Sequence, residues 1–179
     1  VAAARAWGVG ATASPHICGR RPVHAELERR LAAFKRTEAA LVFASGYAAN
    51  LGAISALVGP GDHVFADRLA HASLLDGARL SGARLRRFHH NDADHLDALL
   101  KAAPTSGRRL VITESVFSMD GDRAPLADLA RCAAAHDAAL YVDEAHALGV
   151  YGSGGAGALV DCGVQGPGVI AIGTLSKAL

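Results

Sequence analysis

The chain has 179 residues, 51% of them hydrophobic and 20% charged, which fits a soluble globular protein of one domain with a substantial core. Its net charge of +1 offers no broad cationic surface for nucleic acid, and the one arginine cluster, Arg84, Arg86 and Arg87, reads as the outward face of a strand. No apolar run approaches the roughly 18 residues that span a bilayer, segment 1–5 is too short for a secretory signal, and Cys18, Cys132 and Cys162 have neither disulfide-framework nor zinc spacing, so a cytoplasmic setting with reduced thiols is expected.

Segment 22–36 carries Val23, Leu27, Leu31 and Phe34 on one helical face, with Pro22 in the first turn where its missing amide does no harm, so a helix is predicted. An apolar run at 39–43 suits a strand, followed by the small-residue turn Ser45-Gly46 and a helix at 47–57. Glycine at this turn lets the backbone approach a ligand, and the free amides of the first helical turn attract a phosphate; an ordinary helix capped by Ser45 accounts for the same residues. A strand at 63–65 leads to a helix at 71–81 that begins with His71. An imidazole there can stack on a flat aromatic cofactor, or it can be structural.

A strand at 84–88, a helix at 95–101 and a strand at 109–113 follow. The stretch from Glu114 to Asp122 is too polar for a casual loop after a buried strand: Ser118 is a candidate cofactor contact, and Asp120-Gly121-Asp122 suits a tight turn. After a helix at 126–136 and a strand at 139–142 comes Asp143-Glu144-Ala145-His146. Three readings stay open there. The acid can face the pyridinium nitrogen of a cofactor with the histidine near its phenolic oxygen; it can hold magnesium in a nucleotidase, since Asp-Glu-Ala-His also occurs in helicases; or it can cap the next turn. The nucleotidase reading needs an upstream phosphate loop, which the sequence lacks. Gly152-Ser153-Gly154-Gly155-Ala156-Gly157 formally matches a dinucleotide fingerprint but follows no strand directly, so a flexible surface loop is expected.

The last strand, 169–172, precedes Thr174 and Lys177. Of the three lysines, Lys35 and Lys101 lie in helices as solvated charges. Lys177 lies just past a buried strand, placed to form a Schiff base with a carbonyl cofactor while Thr174 holds its phosphate. Strands alternating with helices of these lengths predict an α/β fold, a mostly parallel sheet with helices on both faces, whose ligands bind at the carboxyl ends of the strands. The histidines show no metal-ligand spacing and no serine-hydrolase elbow is present, so no metal site and no serine hydrolase are expected.

The strings HAELERRLAAF, ALVFASGYAAN, ADRLAHASLLDG, FHHND, TESVFSMDGDRAPL, YVDEAHALGVYG and GTLSKAL, in this order, resemble the α-oxoamine synthases, pyridoxal-phosphate enzymes of the fold-type-I transferase class. FHHND and DEAHALGV are most similar to the members that serve biotin biosynthesis. The resemblance implies that Lys177 carries the cofactor, Asp143 pairs with its ring nitrogen, His146 and Ser118 lie near its phenolic oxygen, His71 stacks on the ring, and Gly46, Tyr47 and Thr174 hold the phosphate. It implies Lys177, His71 and Asp143 as catalytic residues. The implied reaction is decarboxylative condensation of an amino acid, expected to be L-alanine, with an acyl thioester, pimeloyl-CoA or pimeloyl-carrier protein, in a homodimer. 5-Aminolevulinate synthase, 2-amino-3-ketobutyrate ligase and serine palmitoyltransferase are the alternatives within the family. Residues 13–16, Ala-Ser-Pro-His, depart from its usual serine-arginine. Because the chain starts without methionine and stops at Lys177-Ala178-Leu179, residues 1–179 are expected to be part of the large cofactor-binding domain, a fragment without the small domain and inactive alone.

Overall fold

Five short strands pair in parallel: β1 (His63–Asp67), β2 (Arg84–Phe88), β3 (Arg109–Glu114), β4 (Ala139–Asp143) and β5 (Val169–Ile172) form one sheet in the order β2-β1-β3-β4-β5. The computed structural model describes residues 1–179 and divides into two compact units, Val1–Val42 and Phe43–Leu179, where length alone suggested one. The first holds helices α1 (Ala2–Trp7) and α2 (Pro22–Lys35), with a π turn at Pro15–Gly19 between them. Only Gly19 and Ala32 are buried in it, so it has almost no core of its own.

The second unit contains the whole sheet and helices α3 (Gly46–Leu57), α4 (Ala72–Leu80), α5 (Ala93–Lys101), α6 (Leu126–Ala135) and α7 (Ala158–Asp161). Side chains alternate across each strand. Val64, Ala66, Leu110, Ile112 and Tyr141 face one apolar layer with Ile54 of α3 and Leu74 of α4. Phe65, Val111, Leu140 and Val142 face the other, with Leu96 and Leu100 of α5, Leu126 and Leu129 of α6, and Leu159 of α7. Burial on both faces is why these strands read as continuous apolar runs. Each fully buried leucine, isoleucine or phenylalanine contributes about 1.5–3 kcal/mol by leaving water.

Local chemistry fixes the helix starts. The Ser45 hydroxyl accepts the Ala48 amide at 3.1 Å, His71 Nδ1 accepts the Ser73 amide at 3.2 Å, and an Asp92 carboxylate oxygen accepts the His95 amide at 2.8 Å. Two expectations fail. Segment 39–43 forms no strand: Leu41 is 72% exposed, the Val42 amide turns to Glu28 at 3.4 Å, and the Phe43 ring lies against Gly52, where a Cβ would sit 3.0 Å from it. An apolar run becomes a strand only where another strand pairs with it, and none does here. The glycine-rich run 152–157 is a hydrogen-bonded turn rather than a loose loop, with the Gly157 amide on the Tyr151 carbonyl and the Gly149 amide on that of Gly155. Gly152 has φ 77°, and a Cβ on it would lie 2.5 Å from the Gly157 carbonyl oxygen.

Candidate active site

Three acids end three adjacent strands: Asp67 closes β1, Glu114 closes β3 and Asp143 closes β4. Register places Glu114 beside Asp143, and Asp143 beside Ile172 of β5. Two residues past β5 lies Thr174, and three further on Lys177, so the carboxyl edge of the sheet gathers the acids, the histidines of the following loops and the lysine.

Lys177 Nζ lies 2.7 Å from His146 Nε2. Burial, and then the Lys177 charge, push the His146 imidazole below its ordinary pKa, so its neutral ring accepts the hydrogen bond that the ammonium donates. Asp143 is held by both oxygens: Oδ1 accepts the Ala145 amide at 2.9 Å and Oδ2 accepts Asn50 Nδ2 at 2.8 Å. The first contact is the turn cap weighed for this acid, while the second turns the carboxylate toward α3, and one side chain does both. Asn50 Nδ2 also donates to Ser73 Oγ at 2.9 Å, and Asn50 Oδ1 accepts the Tyr141 hydroxyl at 2.9 Å. Ser73 Oγ lies 2.7 Å from His71 Nδ1. Asp143, Asn50, Ser73 and His71 thus form one chain of polar contacts.

The His71 amide donates to Glu114 Oε1 at 2.7 Å. Burial, with the Asp143 charge adding to it, pushes the Glu114 carboxyl up to about 7, the His71 amide and Lys177 opposing the shift. Glu144 points the other way. It is fully buried and its Oε1 accepts the Leu159 amide at 2.9 Å, so this acid braces α7 and is not presented to a metal-bound nucleotide.

At the start of α3, a Cβ on Gly46 would lie 4.0 Å from Thr174 Cβ, so the helix N-terminus and the threonine are close neighbours. The Thr174 hydroxyl is 2.8 Å from that of Ser176. Of the residues expected from sequence, the fold joins Lys177 with His146, Asp143 with His71 through Asn50 and Ser73, and Gly46 with Thr174. Tyr47 gives its hydroxyl to Asp76 at 2.9 Å, and Ser118 lies exposed in the turn at 118–120. Sequence reasoning assigned no role to Asn50, Ser73 or Tyr141. Its one signal was the amide of Asn50 within the otherwise apolar run Ala48-Ala49-Asn50-Leu51.

The chain matches the family described as aminotransferase class I and II over residues 1–179. It is 58% identical over 174 residues to an 8-amino-7-oxononanoate synthase of Alkalilimnicola ehrlichii, covering 96% of this chain and 44% of that protein. A protein of the same name from Trichlorobacter lovleyi is 54% identical over 177 residues, covering 99% and 45%. Among solved structures, a lysine-to-alanine variant of a serine palmitoyltransferase from S. paucimobilis with bound PLP-myriocin aldimine superposes with a TM-score of 0.93 at 39% identity, covering 99% of this chain and 44% of that one. An 8-amino-7-oxononanoate synthase of Francisella tularensis gives 0.82 at 31%, covering 99% and 48%. The chain therefore spans less than half the length of the relatives it matches.

Proposed function

The chain belongs to the aminotransferase class I and II family, and from that premise we propose that it is part of the pyridoxal-phosphate-binding large domain of a longer protein that acts as an 8-amino-7-oxononanoate synthase. The observation that carries this reading is Lys177 at hydrogen-bond distance from His146, one strand end away from the buried Asp143 carboxylate. Sequence identity of 58% to a synthase of that name, against 39% to a serine palmitoyltransferase, favours the first activity over the second.

The residues fit the cofactor. Lys177 supplies the amine that holds it. Asp143, oriented by Asn50 and the Ala145 amide, keeps a proton on the pyridine nitrogen. His146 sits beside the amine, Ser118 is the second candidate for the phenolic oxygen, and His71, held by Ser73, would stack on the ring. Gly46, Tyr47 and Thr174 would receive the phosphate, because the Gly46 and Tyr47 amides, unlike that of Ala48 capped by Ser45, have no partner within the helix and carry its positive end. Pyridoxal phosphate, when bound, supplies the electron sink for carbanion chemistry at an amino acid's α carbon. With the cofactor bound, the Lys177 amine would take the proton from that carbon, and neutral His146 would accept a hydrogen bond from the same amine. The amino acid is L-alanine and the acyl donor a pimeloyl thioester, and the complete protein is a cytoplasmic homodimer. No helix of the structure is long and apolar enough to cross a membrane.

The full-length protein reconstituted with pyridoxal phosphate should show a visible absorption band that borohydride fixes to Lys177, and it should turn over L-alanine faster than glycine or L-serine. A label on another lysine would remove the cofactor assignment. A preference for serine with a long acyl thioester would replace the synthase by a palmitoyltransferase.

A further inference from the structure

Outside the strand ends, a second cluster of chemistry-bearing side chains lies between α5 and α6. Asp97 comes from the third residue of the final two turns of α5's sequence run Ala93–Lys101, Cys132 from α6, and His136 from the cap that ends α6. Their ligand atoms all lie within 4.8 Å of one another, and all three residues are half-buried. Cys132 and His136 are four residues apart, so one helical face presents a thiol and an imidazole together. Asp97 meets them across the helix pair, with Oδ1 2.7 Å from His136 Nε2. We propose that Asp97, Cys132 and His136 form a binding site for zinc or a similar borderline-soft divalent cation, separate from the cofactor site and unconnected to the proposed reaction.

The donor set argues for that class of ion. Thiolate, imidazole and carboxylate together are a zinc combination, three protein ligands leaving a fourth position for water, whereas magnesium and calcium select oxygen-only sites. Ligand atoms around tetrahedral zinc stand roughly 3.3–3.7 Å apart given metal-ligand lengths of about 2.0–2.3 Å, so the cluster needs only small side-chain rotations to close. The thiol has no strong competing partner, since its one hydrogen bond, to the Ala93 carbonyl, is 3.9 Å long. Lys101 pairs with the other oxygen of Asp97, Oδ2, and so holds the carboxylate with Oδ1 turned to the histidine. The adjoining cleft is lined by Asp92, Asp94 and Asp128 against the single cation Arg131, which favours entry of a divalent ion. Binding replaces the hydrogen bond between Asp97 and His136 by two metal bonds, moves the imidazole proton to Nδ1, and releases the Cys132 thiol proton to solvent. The cluster was hidden from sequence because Asp97 and His136 are 39 residues apart and no Cys-x-x-Cys or His-x-x-x-His pair marks it.

Zinc chloride alone is the probe, titrated into the full chain carrying Cys18→Ser and Cys162→Ser, which removes the two exposed thiols. One zinc per chain is expected, weakened at least about tenfold by His136→Gln and by Asp97→Asn. Cadmium should give an ultraviolet thiolate band that Cys132→Ser abolishes. In the unsubstituted chain, zinc should protect Cys132 from iodoacetamide while Cys18 and Cys162 still react. Absence of stoichiometric zinc, retention of zinc after Cys132→Ser, or an unprotected Cys132 would each overturn the proposal.

Discussion

Glu114 carries a cost at neutral pH that its neighbours set. Burial, and then the charge of Asp143 beside it in the sheet, raise its carboxyl from an ordinary 4.5 to about 7 against the opposing His71 amide and Lys177. Between those two values the folded chain holds a proton that the unfolded chain has released, so stability falls as pH rises through the window and levels off above it. His90 slopes the same way. Burial lowers its pKa, but the hydrogen bonds it donates to Asp67 and Asp122 outweigh burial and leave it raised, so its contribution is present below the ordinary histidine value and lost as pH rises past the folded one. The wild-type curve mixes these two groups with His63 and His146, whose lowered values slope it the other way, and a substitution isolates Glu114. Glu114→Gln keeps an oxygen for the His71 amide and removes the charge. In cofactor-free protein, urea unfolding at pH 8 should show this variant more stable by on the order of 1–3 kcal/mol, with the two proteins converging near pH 4.5. An unchanged pH profile would show that water solvates Glu114 well enough to erase the penalty.

Helices α3 and α4 position the residues that orient Asp143, and Gly77 sets how close they come. A Cβ at Gly77 would lie 2.9 Å from the Asn50 carbonyl oxygen and 3.1–3.2 Å from Ile54. Replacing a helical glycine by alanine ordinarily gains about 1 kcal/mol of helix propensity. Overpacking costs about 1–3 kcal/mol, and the nearest obstacle is backbone of the residue whose side chain holds Asp143. Overpacking should win: Gly77→Ala is expected to lower the urea midpoint at unchanged m-value, and a raised midpoint would show that α4 can shift freely. At this scale the sequence was readable where burial on two faces made unbroken apolar runs, as in β1, β3 and β4. Strand ends were misplaced because Asp67, Glu114 and Asp143 are polar, and a pattern based on hydropathy stops before them although the ladder continues. Lys177, His146 and Asp143 stand out in the sequence because each lies at or just past the end of a strand, although β5 before Lys177 is half-buried and not the buried strand expected, whereas Asn50 and Ser73 act through contacts 93 and 23 residues distant that periodicity does not encode.

At the scale of the whole chain, strand order and the division into units were the parts least visible in the sequence. Each crossover is compatible with pairing on either side of the preceding strand, so the placement of β1 between β2 and β3 is decided by which apolar faces α3, α4, α5 and α6 cover. Composition could not separate residues 1–42 from the rest either, because α2 has an apolar face that reads as core-forming, yet among those residues only Gly19 and Ala32 are buried. Isolated helices of this length are marginal in water, and most of their stability comes from packing of an apolar face. The second unit, by contrast, buries strands β1, β3 and β4 almost completely. Native-state hydrogen exchange on the 179-residue chain should therefore show amides of α2 exchanging at least about 100-fold faster than those in the three central strands, with little change in protection of the strands as α2 opens. Equal protection in α2 and the strands would mean that the two units open together, and that the scarcity of buried side chains in residues 1–42 does not limit their stability.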